Sequence, residues 1–538
     1  MPEYLSPGVY VEEIELGARP IEGVSTSTAG FLGVTERGST DVQLVTGFEQ
    51  FQRLYGGFIR DGYLPYAVEG FFRNGGQRCF IGRIVRSGAS AAMLTRDALT
   101  FEAIGEGLWG QRVAMRIEDA SLGGALFKLT VAYWSRSLPA LDVPLTSPPA
   151  DRNRINRLLR ERLETAALPA EVFDNLSTDP DSPDFFGKRV NGTSNLITIT
   201  ATSPSVSRPT NTSSLVLLEA LQGHSDDDGT SPLDREDFLG NLTALPGERR
   251  GLTAFADIDE ISIINVPDLH LIADFTQRRT LIDDVLSQCE TLKDRFAILE
   301  ASNDDPNYRR PDRISNDLYD EEMRRSKYGA LYYPWIKVLD AITQLPKAIP
   351  PGGHVAGIYA RTDQERGVHK APANEVVRGA LEVDVLVTKG DQDILNPRGV
   401  NAIRVFPGRG IRVWGARCTI LDALWKYINV RRLFIFLEES IDEGTQPFVF
   451  EPNDQKLWDR VKQTITQFLT RVWRDGALMG TTPEEAFFVK VDRTTMTQDD
   501  IDNGRLIVLI GVAPVKPAEF VIFRIAQMPQ GGSSILEG

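Results

Sequence analysis

The segment from Pro350 to Asn374, PPGGHVAGIYARTDQERGVHKAPAN, restricts the fold more than any other part of the chain. A helix over Val355–Thr362 sets Gly353, Ala356, Gly357 and Ala360 three and four residues apart, so one helix face carries almost no side chains. Another backbone can then approach very closely, which is the composition of a buried structural joint rather than of an active site. A charged cluster, Arg361, Asp363, Glu365, Arg366 and Lys370, runs on into Ala371-Pro372-Ala373-Asn374.

The flanking pattern predicts several domains. A chain of 538 residues with 42% hydrophobic side chains can bury sizeable cores, and its length alone suggests about three or four units. Residues 1–24 read as an arm in which Pro7-Gly8 introduces the β-prone run Val9, Tyr10, Val11, Glu12, Glu13 and Ile14, with few apolar neighbours to cover it. That run pairs either with an acceptor sheet elsewhere or as an edge strand of its own domain. TAGFLGVT, FEQFQRLYG, LPYAVEGFFRNGG and CFIGRIV then read strand, helix, helix, strand, with Gly75-Gly76 closing the second helix. The alternation resumes in ISIINVP, a helix over Phe275–Lys293, FAILEA and ALYYPWIKV, so residues 25–87 and 250–349 are expected to form one middle α/β domain. Between them, residues 88–249 carry short β-prone runs (FKLTVAYW, NLITITAT, SSLVLLEAL) amid Pro, Ser, Asp and Gly, an inserted β-rich domain with a solvated loop over Gln222–Asp234.

A third unit is expected over 350–516. Ile411–Ala416 reads as a strand. Val430, Leu433, Phe434, Leu437 and Ile441 recur at helical spacing, and Ile435 and Phe436 widen that apolar face until the helix must be largely buried. Pro452 suits the first turn of the next helix, which runs to about Trp473 with Leu457, Val461, Ile465, Phe468, Leu469 and Val472 inward and Lys456, Arg460, Lys462, Arg471 and Arg474 largely outward. Arg505–Val512 and Glu519–Ala526 are strand-like but separated by Pro514 and Pro517, so they need not form a hairpin together, and residues 517–538 are free to leave as a second arm. A β-prone arm at each end is the pattern of subunits that donate strands to neighbours.

Chemistry-bearing motifs are sparse. Lys and Arg total 59 against 74 Asp and Glu, a net charge of -15 that favours neither nucleic acid nor anionic lipid across the whole chain. Cys79, Cys289 and Cys418 lie far apart and read as buried thiols rather than disulfide or zinc ligands. His224, His270, His354 and His369 form no H-E-x-x-H pair and read as core or solvated histidines. No phosphate-binding G-x-x-x-x-G-K-[ST] loop occurs, Gly408-Arg409-Gly410 lacks the rest of a dinucleotide fingerprint, and no G-x-S-x-G elbow occurs. Asp226-Asp227-Asp228-Gly229 fails as a calcium loop, because His224 and Arg235 fall where carboxylates are required. Glu438-Glu439 reads as helix-surface charge that meets basic residues. MPEYLSPGVYVEEIEL has no basic and apolar signal pattern, and no run of roughly 18 apolar residues follows, so synthesis in the cytoplasm without direct membrane insertion is expected. No metal, cofactor or catalytic residue is assigned.

Pro350–Asn374, FPGRGIRVWGARC (406–418) and NVRRLFIFLEESI (429–441) together strongly resemble the C-terminal core of contractile tail sheath proteins, the family of phage tail, R-type pyocin and extracellular contractile injection system sheaths. LSPGVYVEEI and STAGFLGVTERG extend the likeness to the N-terminus, whereas the insert shares little of it. The resemblance implies an α/β and α+β multidomain fold: a tube-proximal core, an α/β middle domain, a β-rich outer insert and exchanging terminal arms. It implies a structural, non-enzymatic subunit of a phage tail or tail-like particle. That subunit would form a six-start helical homopolymer of hexameric discs around an inner tube protein, with baseplate and terminal cap proteins as further partners and no nucleic acid. The exchanged strands would be Val9–Ile14 and Glu519–Ile525, with Phe520, Val521, Ile522, Phe523 and Ile525 as pairing residues. Exposed basic residues, either Lys456, Arg460 and Lys462 or Arg431 and Arg432, are expected to meet an acidic tube or to remain a solvated helix face. The alternatives are a cytoplasmic α/β enzyme with a β-rich insert, or another self-assembling shell or tube protein.

Overall fold

A computed structural model describes residues 20–134, 171–203, 206–212, 215–219, 232–305, 308–311 and 325–523. Strands β1 (Ala29–Gly33), β2 (Gln43–Val45) and β3 (Cys79–Arg83) flank helices Phe48–Tyr55 and Leu64–Asn74. The second of these helices ends on Gly75 at φ 116°, a left-handed cap that a Cβ would strain. The insert contributes β4 (Met93–Arg96), β5 (Leu99–Ala103), β6 (Val113–Asp119), β7 (Phe127–Tyr133), β8 (Glu171–Leu176), β9 (Ile197–Ala201) and β10 (Val216–Leu217). Its sheets, ordered β4-β5-β9 and β10-β6-β7-β8, enclose their own core of Phe101, Trp109, Ile117, Leu129, Val131 and Ile199. Alternate burial along β5 fits a sheet with one covered face. Of Gln222–Asp234, residues 222–231 lie outside the described residues.

The chain then returns through β11 (Ile263–Asn265), the Phe275–Leu292 helix, β12 (Phe296–Glu300) and β13 (Gly329–Tyr333). The expected run ALYYPWIKV divides at Pro334, and β14 (Ile336–Leu339) begins a separate small sheet with β15 (Pro346–Ile349) and β17 (Glu382–Val383). Strands β16 (Glu375–Val376), β18 (Val400–Phe406) and β19 (Gly410–Val413) join the main sheet, ordered β16-β19-β18-β13-β12-β11-β1-β3-β2. Its six central strands are parallel; β2 and β19 pair antiparallel with β3 and β18 at the two rims, and β16 pairs antiparallel with β19 beyond. Strands β1, β12 and β13 are buried along their whole length, as apolar runs covered on both faces must be. This one sheet draws strands from both sides of residue 350.

Beyond it, helices Ile428–Thr445 and Gln455–Arg474 pack on a two-stranded sheet, β20 (Phe487–Lys490) with β21 (Leu509–Val512). Leu457, Val461, Ile465, Phe468, Leu469 and Val472 all face this core, as the helical spacing predicts. Pro452 does not occupy the helix: Asp454 is the cap, accepting from the Leu457 amide, so the proline lies in the preceding loop.

Candidate assembly interface

The joint forms where the Gly352–Arg366 helix crosses Leu64–Asn74. A Cβ on Gly353 would sit 2.2 Å from the Ala67 carbonyl oxygen, and one on Gly357 2.4 Å from that of Phe71, so the backbones touch where side chains are missing. Arg361 fastens the far end, donating to the carbonyls of Asn74 at 2.9 Å and Val376 at 3.0 Å. At the near end Asn265 Nδ2 donates to Glu300 at 2.6 Å beneath Gly352, and burial pushes the Glu300 carboxyl up to about 8. His354 is buried against Gly70, and burial lowers its pKa to about 3, leaving it neutral.

Asp363 ties three segments together. Arg432 grips it through two hydrogen bonds of 2.9 and 2.6 Å, with both side chains 5% exposed or less. Thr26 donates its hydroxyl to the same carboxylate at 2.6 Å, and Arg432 also donates to the Thr26 carbonyl and stacks over the Tyr359 ring. A forked guanidinium meeting a planar carboxylate, with its remaining donor used, is a geometry that tolerates burial. The cluster joins the base of the N-terminal arm, the joint helix and the Ile428–Thr445 helix. Ile21 extends the tether by packing on Gly444, while Val24 N–H donates to Ser440 and Arg471 donates to the Ile21 carbonyl.

At the other end, β20 and β21 pair with each other and with no further strand among the described residues, leaving their outer edges open. Phe487 and Val489 point into the core, whereas Phe488 and Leu509 are more than half exposed. The chain leaves β21 past Pro514. Asn429 Nδ2 holds the Val515 carbonyl at 3.3 Å, and Glu519 accepts from Arg417 Nε at 2.9 Å and its terminal nitrogen at 2.6 Å. Immediately afterwards Phe520, Val521, Ile522 and Phe523 are 71–84% exposed and form no strand. Four consecutive large apolar side chains in water need a covering surface, and a strand with no partner cannot form.

The expected donor residues Val9, Tyr10, Val11, Glu12 and Ile14 lie outside the described residues, as do Ile525 and His224. Lys456, Arg460 and Lys462 are exposed on one helix, and Arg460 pairs with Glu451 at 2.7 Å. Arg431 and Arg432 are not exposed, which corrects that expectation. Arg431 is 1% exposed, bonded to Glu438 and stacked on Tyr328 and Trp425, and Arg432 is committed to Asp363. The N-terminal half of this helix, where apolar residues crowd around Arg431 and Arg432, is the buried half. Cys79, Cys289 and Cys418 are buried free thiols. Among the described residues, no three metal-ligating side chains converge and no helix is long and apolar enough to cross a membrane.

The chain thus combines a wide mixed sheet bearing an inserted β domain with a helical unit that carries a two-stranded sheet and an exposed apolar segment, Phe520–Phe523. Two family models match adjacent stretches, the phage tail sheath protein central domain over residues 271–419 and the phage tail sheath C-terminal domain over 421–528. The tail sheath protein of Burkholderia phage BcepMu is 30% identical over 159 residues, 28% of this chain and 33% of that protein. The putative prophage major tail sheath protein of Pseudomonas aeruginosa is 24% identical over 210 residues, 38% of this chain and 52% of that one. The chain thus matches between about a third and a half of the length of these curated relatives. Among solved structures, the anti-feeding prophage helical sheath in its contracted state covers 97% of this chain and 99% of its own, at 24% identity and TM-score 0.54. The contracted PVC sheath complex covers 98% and 99% at 21% identity and TM-score 0.55, and the sheath tail protein of Listeria innocua 92% and 96% at 11% and 0.56. Both matched family models and the matched curated relatives are contractile tail sheath proteins, and the solved sheath structures share the fold of this chain.

Proposed function

We propose that this chain is the structural subunit of a contractile sheath. It polymerises as a six-start helix of hexameric discs around an inner tube protein, bounded by baseplate and cap proteins, and contracts to drive the tube through a target envelope. The observation that carries the reading is the open β20–β21 pair together with an exposed apolar arm, Phe520–Phe523, that no described residue of its own chain covers. Val9–Ile14 and Glu519–Ile525 of neighbouring copies would add strands to that sheet. Each added strand would contribute a handful of backbone hydrogen bonds at roughly 0.5–1.5 kcal/mol net, or a few kcal/mol per link. Such links hold copies together while rigid bodies swing between two packings, so the work of contraction comes from assembly and needs no cofactor or nucleotide.

In this reading residues 350–516 supply the tube-proximal core, although their strands β16, β18 and β19 share one sheet with the middle-domain segments 25–87 and 250–349; 88–249 form the outer insert, and 1–24 with 517–538 the linking arms. The particle assembles in the cytoplasm as a phage tail or tail-like device, with no nucleic acid or membrane partner of the sheath itself. Similarity to structural tail sheath proteins favours the sheath reading over the enzyme reading. Lys456, Arg460 and Lys462 remain the candidates for an acidic tube surface, since Arg431 and Arg432 already have partners inside the chain. Sedimentation velocity of the chain lacking residues 1–15 tests the exchange: it should lose the large assemblies that the full chain forms. Assemblies of unchanged size would refute a linking role for the arm.

A further inference from the structure

The C-terminal arm faces a competition that the strand-exchange reading leaves unresolved. Strand β21 ends at Val512, and only residues 513–518 separate it from Glu519. A connection of that length is long enough for a hairpin, so Phe520–Phe523 can fold back onto the open edge of its own β21. A tethered strand acts at an effective concentration in the millimolar range, well above any concentration at which separate copies meet. Left free, the arm would satisfy its own sheet and block assembly.

We infer that Glu519 is a positioning residue that prevents this, clamping the arm to the rim of the main sheet so that Phe520–Phe523 is presented to a second copy of the chain. Arg417 holds the carboxylate with two hydrogen bonds, Asn396 Nδ2 donates to it at 2.7 Å, and the Tyr427 hydroxyl donates at 3.2 Å. The clamp is itself braced: the Arg417 amide donates to Asn401 Oδ1 at 2.7 Å, its guanidinium donates to the Asn396 carbonyl at 3.1 Å, and Asn401 Nδ2 bonds Leu331 of β13. Arg417 and Asn396, with their braces, therefore belong to the main sheet and its rim, and only Tyr427 borders the Ile428–Thr445 helix that packs on β20–β21. Pro514 and Pro517 stiffen the intervening path. Burial opposes ionisation of Glu519, but the bonds from Arg417 and Asn396 outweigh it and keep its pKa below the ordinary range, so the clamp stays charged at neutral pH.

The inference rests on the strand-exchange reading, and three variants of the full chain separate the two. Truncation after Glu519 should abolish assembly. Glu519→Ala should raise the critical concentration for assembly about tenfold or more with thermal unfolding unchanged, and the milder Arg417→Lys, which keeps charge but loses the fork, should shift it the same way. Below the critical concentration, chymotrypsin should cut the wild-type arm quickly at Phe520 and Phe523 and the Glu519→Ala arm slowly, because that arm is paired with its own sheet. If truncation abolishes assembly while Glu519→Ala and Arg417→Lys assemble and are cleaved like wild type, the clamp is refuted and strand exchange stands. If the truncated chain assembles normally, strand exchange fails and the clamp with it.

Discussion

Gly353→Ala should loosen the joint although it adds a better helix former. In an exposed helix this change stabilises by up to about 1 kcal/mol. At Gly353 the new methyl would lie 2.2 Å from the Ala67 oxygen and 2.4 Å from its Cα, roughly 1 Å inside ordinary contact, and both atoms are backbone. The two helices must separate, opening gaps along Gly357 and Ala360, and overpacking of this kind costs typically about 1–3 kcal/mol. Set against the full helix-propensity gain, this leaves a net loss of up to about 2 kcal/mol. Gly390→Ala is the matched control: it lies in the Lys389–Leu395 helix, its nearest neighbour would be Thr388 Oγ1 at 3.8 Å, and it should stabilise. Hydrogen exchange of the Leu64–Asn74 amides reads the joint directly, and it should speed several-fold in Gly353→Ala only. Equal protection in both variants would refute close backbone packing as the reason for the glycines.

Three further outcomes follow from the buried groups. Arg432→Ala leaves Asp363 buried with only Thr26 as partner and should cost about 3–5 kcal/mol in urea unfolding, whereas Arg432→Met with Asp363→Leu should recover much of it; equal losses in both would sink the pairing argument. The Glu300 carboxyl is held protonated in the fold, so its contribution is full below its ordinary value of 4.5, declines as pH rises and is gone above about 8. Glu300→Gln should therefore flatten the fall in stability across that window, and an undiminished slope would contradict the assignment. Burial raises the pKa of all three cysteines, Cys289 up to about 12, so a thiol reagent should label none in the native chain and all three in denaturant; fast native labelling would show that the cores open.

Periodicity carried most of the architecture. The apolar runs of β1, β12 and β13 and the Leu457–Val472 stripe are local patterns, and local patterns can be read from residues alone. The glycine and alanine face of the joint helix was legible for the same reason, because missing side chains are as periodic as present ones. Strand β18 was overlooked because VNAIRVF is covered on both faces only until Arg404, so its alternation is imperfect. Arg432 and Glu519 were misread or missed because their partners lie far away in sequence: Asp363 is 69 residues from Arg432, and Arg417 is 102 from Glu519, whereas Arg431 pairs with Glu438 only seven residues on. No periodicity reports such pairings; only the folded chain does.

The most direct test of the sheath claim is electron microscopy of the purified full-length chain, with and without its candidate tube protein. Hollow helical sheaths with sixfold symmetry, lost when residues 1–15 are removed, are the expected result. Dispersed monomers under every condition, with the tube protein present, would contradict it.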